Sequence, residues 1–295
     1  MFTLIDGKAV AAQIQAELTQ EVQNRSINGL RRPHLAAVLV GDNEASQTYV
    51  NNKILACERV GFRSTLIRKD HTISEHELLA CVDELNADVE LDGFIVQLPL
   101  PKHINAGKIN EAIRPAKDVD GFHAINLGRM LLNLSGYLPA TPAGIIELLR
   151  HYNIETEGRH CVVLGRSHIV GSPLSVLLAR AAWPGNCTVT LCHSKTRNLT
   201  EYIRNADILI AALGKPGFVQ GNWVKEGAVV IDVGTTRVPD ASRPSGFTLM
   251  GDVDFDSVAP RCSAITPVPG GVGPMTIAML LRNTLDAANH RHYGR

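Results

Sequence analysis

Tyr49 and Lys53 stand four residues apart in a stretch, Ser46 to Val60, whose spacing predicts a helix, so both side chains can project from one face. They can then face one cleft together, although on spacing alone a plain surface pair is the favoured reading. Gln97 follows the predicted strand Gly93 to Val96 and precedes Leu98-Pro99-Leu100-Pro101. That puts its amide at the carboxyl edge of a sheet, where α/β proteins bind ligands, unless it caps its own turn. Lys117-Asp118-Val119-Asp120-Gly121-Phe122 holds two carboxylates before a glycine, as a ligand-binding loop or as turn chemistry. Thr266-Pro267-Val268-Pro269-Gly270-Gly271-Val272-Gly273-Pro274 sets three glycines and three prolines ahead of a helix. So restricted a loop suits close backbone approach to a flat ligand.

A second set of residues points to a nucleotide. Gly165-Arg166-Ser167-His168-Ile169-Val170-Gly171 lies between an apolar strand pattern and a helix pattern, the place of a pyrophosphate loop. Ser167 and Val170 occupy the second and third glycine positions of the G-x-G-x-x-G pattern, so an ordinary tight turn is the competing reading. The next strand ends in Cys192-His193-Ser194-Lys195-Thr196, with no carboxylate to hold a ribose hydroxyl pair. Arg166, Ser194 and Lys195 can instead neutralise a ribose 2′-phosphate, which points to NADP; a solvated polar turn is the alternative.

These residues must be positioned by alternating helices and strands. Val10, Ile14, Leu18 and Val22 recur at helical spacing, His34 to Val40 and Phe62 to Ile67 read as strands, and Ser74 with Glu77 forms a capping box. Pro115 to Pro139, rich in Gly, Pro, Asp and Asn, reads as the crossing between two domains. Thr141 and Pro142 suit the cap and first turn of a helix through Leu149. Cys161 to Leu164, Thr188 to Leu191, Ile208 to Ala212 and Val229 to Val233 are strand-length apolar runs separated by helical patterns. Near-continuous apolar character predicts parallel strands covered on both faces. The chain then enters its Pro/Gly loop and ends in a helix from about Pro274, with a basic end, HRHYGR, expected to fray.

The bulk composition excludes several function classes. The 295 residues are 45% apolar and 20% charged, enough for a large core or two domains. Lys plus Arg and Asp plus Glu both total 29, so no basic excess draws the chain to nucleic acid or an anionic membrane. No apolar stretch has membrane-spanning length and no leader pattern opens the sequence, so a cytoplasmic location is the expectation. The six cysteines are scattered without a C-x-x-C pair and read as buried thiols; no tetrahedral ligand set is visible and no metal is expected.

Seven stretches, in order over nearly the whole chain, resemble the bifunctional methylenetetrahydrofolate dehydrogenase/methenyltetrahydrofolate cyclohydrolase family. They are Tyr49-Val50-x-x-Lys53, Asp92-Gly93-x-x-Val96-Gln97-Leu98-Pro99-Leu100-Pro101, Lys117 to Phe122, Gly165 to Gly171, Cys192-His193-Ser194, Asp232-Val233-Gly234 and the Pro/Gly loop through Pro274-Met275-Thr276. The resemblance implies two α/β domains with a folate cleft between them, the second a Rossmann-like, doubly wound parallel-sheet nucleotide-binding domain, in a homodimer. It implies a folate-binding catalytic domain over 1–139, completed by a carboxyl-terminal helix over 274–295, and an NADP-binding domain over 140–273. It implies NADP-dependent oxidation of 5,10-methylenetetrahydrofolate, then hydrolysis of the methenyl product. Lys53 would be the acid/base, aided by Tyr49 and Gln97, and Asp120 would hold the pterin. Val50, Val96 to Leu98 and Pro269 to Gly273 (Pro269, Gly270, Gly271, Val272, Gly273) would line the folate. Gly165, Arg166, Ser167, Ile169, Ser194, Gly234 and Thr235 would contact NADP. Leu55, Ala140 and Thr235-Thr236 depart from the family pattern, and only Thr235 bears on the expected cofactor site. A single-activity dehydrogenase of this fold and a silent nucleotide-binding homologue are the alternatives.

Overall fold

The computed structural model describes residues 2–243 and 246–294, so Arg295 of the basic end lies outside the described residues. The chain begins β1 (Thr3–Leu4), α1 (Gly7–Ile27), β2 (His34–Val40), α2 (Glu44–Val60), β3 (Arg63–Lys69), α3 (Glu75–Ala87) and β4 (Gly93–Val96). There follow α4 (Ala106–Ala112), α5 (Ala124–Leu131), α6 (Ala140–His151), β5 (His160–Leu164), α7 (Gly171–Ala179), β6 (Thr188–Cys192), α8 (Leu199–Arg204) and β7 (Ile208–Ala211). Last come β8 (Ala228–Asp232), β9 (Thr236–Pro239), β10 (Phe247–Met250), α9 (Phe255–Val258), β11 (Cys262–Ile265) and α10 (Val272–Ala288). Two compact units result, one of Gln13–Ala140 with Ile277–Arg295, the other of Met1–Ala12 with Thr141–Thr276.

The first unit is built on the parallel sheet β3-β2-β4. Every residue of the central strand β2 is buried, as the apolar run Leu35 to Val40 requires, and the ring of His34 at its start is bonded to Glu90 O and Thr65 Oγ1. Helix α2 starts under Asn43, whose side chain accepts from the Ser46 N–H at 2.9 Å, and stops at Gly61 with φ 82°. Asn43 therefore opens the helix, and Ser46, expected to do so, lies in its first turn. The Ser74/Glu77 capping box on α3 is formed in both directions. Pro115 to Pro139 is not a crossing: it lies within this unit, carries α5, and buries Val119, Asn126 and Tyr137. Its polar residues satisfy buried groups, which a reading of composition takes for solvent exposure.

The second unit carries a six-stranded parallel sheet in the order β1-β11-β8-β7-β5-β6. Strand β5 lies between β6 and β7, so the order of strand addition reverses there, as at the switch point of a doubly wound sheet. Val162, Leu164, Leu209, Val230 and Ile265 form part of its fully buried core. Residues 1–12 belong here rather than with the first domain as expected, because β1 pairs with β11 and the Ile5 N–H donates to Ile265 O at 2.8 Å. Helix α6 begins at Ala140, one residue before the expected cap, and the Thr141 hydroxyl bonds the Thr276 hydroxyl at 2.9 Å. The antiparallel pair β9/β10 was not anticipated from the sequence.

Candidate active site

Lys53 projects from α2 and is buried to 8% exposure, whereas Tyr49, one turn earlier, is 42% exposed. The Lys53 Nζ donates to Gln97 Oε1 at 3.2 Å. Gln97 sits just beyond β4, its N–H held by Val38 O at 2.9 Å, so strand pairing fixes where its side chain starts. Its Nε2 donates to Leu98 O at 2.7 Å, which turns the amide oxygen to the lysine and makes Gln97 an acceptor there. The turn that the sequence offered Gln97 as an alternative is thus made by the same side chain. Asp120 is half-buried. Loss of solvation raises its carboxyl above the ordinary range, and the Lys53 ammonium opposes that shift. The sequence-selected Lys53, Gln97 and Asp120 are therefore linked by a hydrogen bond and by charge.

Asp118 holds the loop that presents Asp120. Its buried carboxylate accepts from the N–H of Phe122 at 3.2 Å, the N–H of His123 at 2.8 Å and Nδ2 of Asn126 at 2.8 Å. Gly121, at φ 74°, turns the chain where a Cβ would meet Leu138 C at 2.6 Å. Burial pushes the Asp118 carboxyl up from 3.8 to about 6 against these donors. On acidification the folded state accordingly takes up a proton before the unfolded chain does. This contribution to stability grows as pH falls through the folded value and is small above it. Urea unfolding should find wild type gaining about 1 kcal/mol on Asp118→Asn between roughly pH 7 and roughly pH 5. A gap that stays flat or narrows would show that Asp118 is already ionised throughout.

At the other sheet, Gly165 follows β5 at the switch point. Its φ is 108°, and a Cβ there would meet Ala212 O, just beyond β7, at 2.1 Å. A Cβ on Gly171 would meet Gly165 O at 1.9 Å, so both glycines are required by close backbone approach. Between them Arg166, Ser167, His168 and Ile169 are exposed. Helix α7 has no side-chain cap at Val170, which leaves its amino end suited to an anion. The Gly165 N–H donates to Cys192 O at 2.9 Å, and Leu164 pairs with Cys192. Arg166 and Ser194 each come two residues after that pair, at the same edge of neighbouring strands. The His193 to Thr196 turn is closed by Thr196 Oγ1, which accepts from the His193 N–H at 2.9 Å, while Ser194 and Lys195 are exposed.

In the Pro/Gly loop, Val268-Pro269 is cis and Gly270 has φ 106°. A Cβ on Gly271 would meet Pro267 O at 2.5 Å, and one on Gly7 would meet Gly271 O at 1.9 Å. The Lys8 N–H holds Gly270 O at 2.8 Å. Gly273 is different, with open space around its Cβ position. The loop is thus a fixed shape, as its composition predicts.

Residues 5–120 match the family described as tetrahydrofolate dehydrogenase/cyclohydrolase, catalytic domain, and residues 139–292 match its NAD(P)-binding domain. The chain belongs to this family. The bifunctional protein FolD of Cytophaga hutchinsonii is 62% identical over 285 residues, covering 97% of this chain and 98% of the relative. That of Bacteroides fragilis is 60% identical over 291 residues, 99% of each. Among solved structures, the bifunctional FolD dehydrogenase/cyclohydrolase of Campylobacter jejuni aligns with TM-score 0.92 at 47% identity, covering 99% of this chain and 100% of that one. The Trypanosoma brucei enzyme, complexed with NADP cofactor and an inhibitor, aligns with TM-score 0.93 at 41% identity over 98% of each chain.

In this member of the tetrahydrofolate dehydrogenase/cyclohydrolase family, sequence reasoning missed Asp252. Its buried side chain accepts from the N–H groups of Leu213, Gly214 and Lys215, in the segment after β7. Its own N–H donates to Asp232 Oδ1 at 2.9 Å, and Asp232 also accepts from the N–H of Gly234 at 2.9 Å and of Val253 at 3.0 Å. Two stacked carboxylates thereby tie together the segments after β7 and β8, including Gly234. An aspartate flanked by Gly251 and Val253 behind a strand-length run was the available signal.

Proposed function

We infer that this enzyme oxidises 5,10-methylenetetrahydrofolate to 5,10-methenyltetrahydrofolate with NADP and then hydrolyses that product to 10-formyltetrahydrofolate. The buried Lys53, hydrogen-bonded to a Gln97 whose amide is itself oriented, carries the reading. Hydride transfer needs orientation, whereas hydrolysis needs protons moved at the same carbon, and a held amine beside a carboxamide serves the second step. When bound, NADP supplies the hydride acceptor. We propose that Asp120 receives the paired N–H donors of the pterin ring, with Tyr49, Val50, Val96, Leu98 and Pro269 to Gly273 contacting folate. Gly165, Ser167 and Ile169 would hold the pyrophosphate side, with Gly234 and Thr235 nearer the nicotinamide. The glycine cradle and uncapped α7 suit that group. We propose a catalytic domain and an NADP domain along the two units, with residues 1–12 and 274–276 going with the second and Ala140 with the first.

A spectrophotometric assay tests the pair of reactions. NADP-dependent appearance of methenyl absorbance from the methylene substrate, followed by its decay, is expected; no appearance would reject the reading, and no decay would leave a single-activity dehydrogenase. For the cofactor, Arg166→Ala combined with Ser194→Ala should weaken NADP by about ten- to a hundredfold and NAD much less, the usual scale for charge-assisted contacts. Equal weakening of both cofactors would separate these residues from the 2′-phosphate.

We further propose a homodimer and a cytoplasmic location. For the dimer, β3 is an edge strand beside a groove lined by Ile54, Leu55, Ser64 and Leu66, with Leu55 exposed. For the compartment, all six cysteines are buried free thiols, as a reducing environment favours.

A further inference from the structure

The carboxyl-terminal segment reaches the Asp120 loop through a line of hydrogen bonds. The Tyr293 hydroxyl donates to Asn126 Oδ1 at 2.6 Å. Asn126, fully buried on α5, donates through Nδ2 to Asp118 Oδ2 at 2.8 Å and to Pro115 O at 3.0 Å. Asp118 then gathers the N–H groups of Phe122 and His123, with Asp120 on the turn between. We propose that Tyr293 is a positioning residue for folate binding, acting through Asn126 and Asp118 on the loop that carries Asp120. This inference rests on the reading of Asp120 as a folate-binding residue.

The chemistry of the carboxamide gives Tyr293 its leverage. Asn126 can face Asp118 with its NH₂ or with its oxygen, and only the first is attractive. An O–H donor on the far side selects the oxygen for itself and so directs the NH₂ to the carboxylate. Without that donor the NH₂ is directed only by Asp118 and Pro115 O, the flipped amide is no longer opposed from the Tyr293 side, and the Asp118 turn is less firmly anchored. Tyr293 is itself well held. Its ring packs on Tyr137 with centroids 5.7 Å apart, and the Arg129 guanidinium lies 5.1 Å from its centre. The adjoining His292 packs on the other part of Tyr137 at 5.0 Å and bonds Ser135 Oγ at 2.7 Å. The hydroxyl is therefore delivered by a tail that is anchored independently of it.

Tyr293→Phe removes the hydroxyl and keeps the ring, so it separates positioning from packing. Steady-state kinetics on the full enzyme should show the folate KM raised about fivefold in both reactions, the factor one buried hydrogen bond commonly carries. The NADP KM and kcat should stay within about twofold, because nothing in the second unit is touched. Hydrogen exchange should quicken in residues 117–123 and not in α10. Asp120→Ala, measured alongside, should raise the folate KM at least as much. If Asp120→Ala has that effect and Tyr293→Phe leaves both KM and exchange unchanged, the relay is wrong. If Asp120→Ala itself leaves the folate KM unchanged, the reading of Asp120 fails first. A Tyr293→Phe enzyme that loses NADP and folate affinity equally would mark the hydroxyl as merely structural.

Discussion

Replacing Lys53 by methionine is expected to lower methenyltetrahydrofolate hydrolysis about a hundredfold or more, the range typical of an acid/base group, and to lower methylenetetrahydrofolate oxidation less. In hydrolysis, water adds to the carbon between the two folate nitrogens and loses a proton; the hydroxyl of the adduct then gives up its remaining proton as the formyl C=O forms, while one carbon–nitrogen bond opens and its nitrogen is protonated. Each transfer needs a group able to give or take a proton at a fixed place. Lys53 is such a group, buried midway along α2, with Gln97 Oε1 accepting one of its hydrogens. Methionine fills much of the same space without an ionisable nitrogen. Oxidation needs no proton relay at that carbon, so its losses come indirectly. Without the ammonium, Asp120 loses a charge that opposes the rise of its carboxyl, so the carboxyl that is to meet the pterin is less favoured in its ionised form. The measurement is paired initial rates on the two substrates with folded, purified variant. Undiminished hydrolysis would remove Lys53 from the mechanism, and equal collapse of both rates would assign it to substrate placement.

Much of this was legible because it is local. The strands β5 to β8 are apolar runs bounded by turn residues, and Gly165 and Gly171 announce a tight loop wherever they stand. Lys53, Gln97 and Asp120 were picked out one by one, but their association depends on α2, β4 and the following loop meeting, which spacing alone does not state. The pairing of β1 with β11 was invisible for a related reason. It joins a two-residue strand to one more than 250 positions away, with Thr3 opposite Ala264, and no periodicity survives in two residues. Pro115 to Pro139 shows the opposite error. Asp118 and Asn126 there look like loop residues by type, yet both are buried and spend their polarity on neighbouring donors and acceptors. Polar composition cannot distinguish a solvated turn from one whose hydrogen bonds are made internally.

Asp252→Ala should destabilise the protein by about 4 kcal/mol, the upper range for loss of a buried hydrogen-bonded carboxylate. Three successive N–H groups, of Leu213, Gly214 and Lys215, point at this one side chain, and the residue is fully buried. Alanine removes the acceptor and leaves those donors facing a hole, where each unsatisfied group costs about 1 to 3 kcal/mol unless water enters. Asparagine should not restore stability. One of its two terminal atoms is an NH₂, and Gly214 and Leu213 share the Oδ2 position while Lys215 uses Oδ1, so either flip sets donor against donor. The effect should also reach the cofactor. The segment anchored by Asp252 follows Ala212, whose carbonyl lies where a Gly165 Cβ would be, so releasing it loosens one wall of the glycine cradle. Urea unfolding gives the stability term, and NADP titration at a temperature where the variant is folded gives the second. A loss below about 1 kcal/mol would mean that water replaces the carboxylate at little cost. A large loss with unchanged NADP affinity would confine Asp252 to holding the fold.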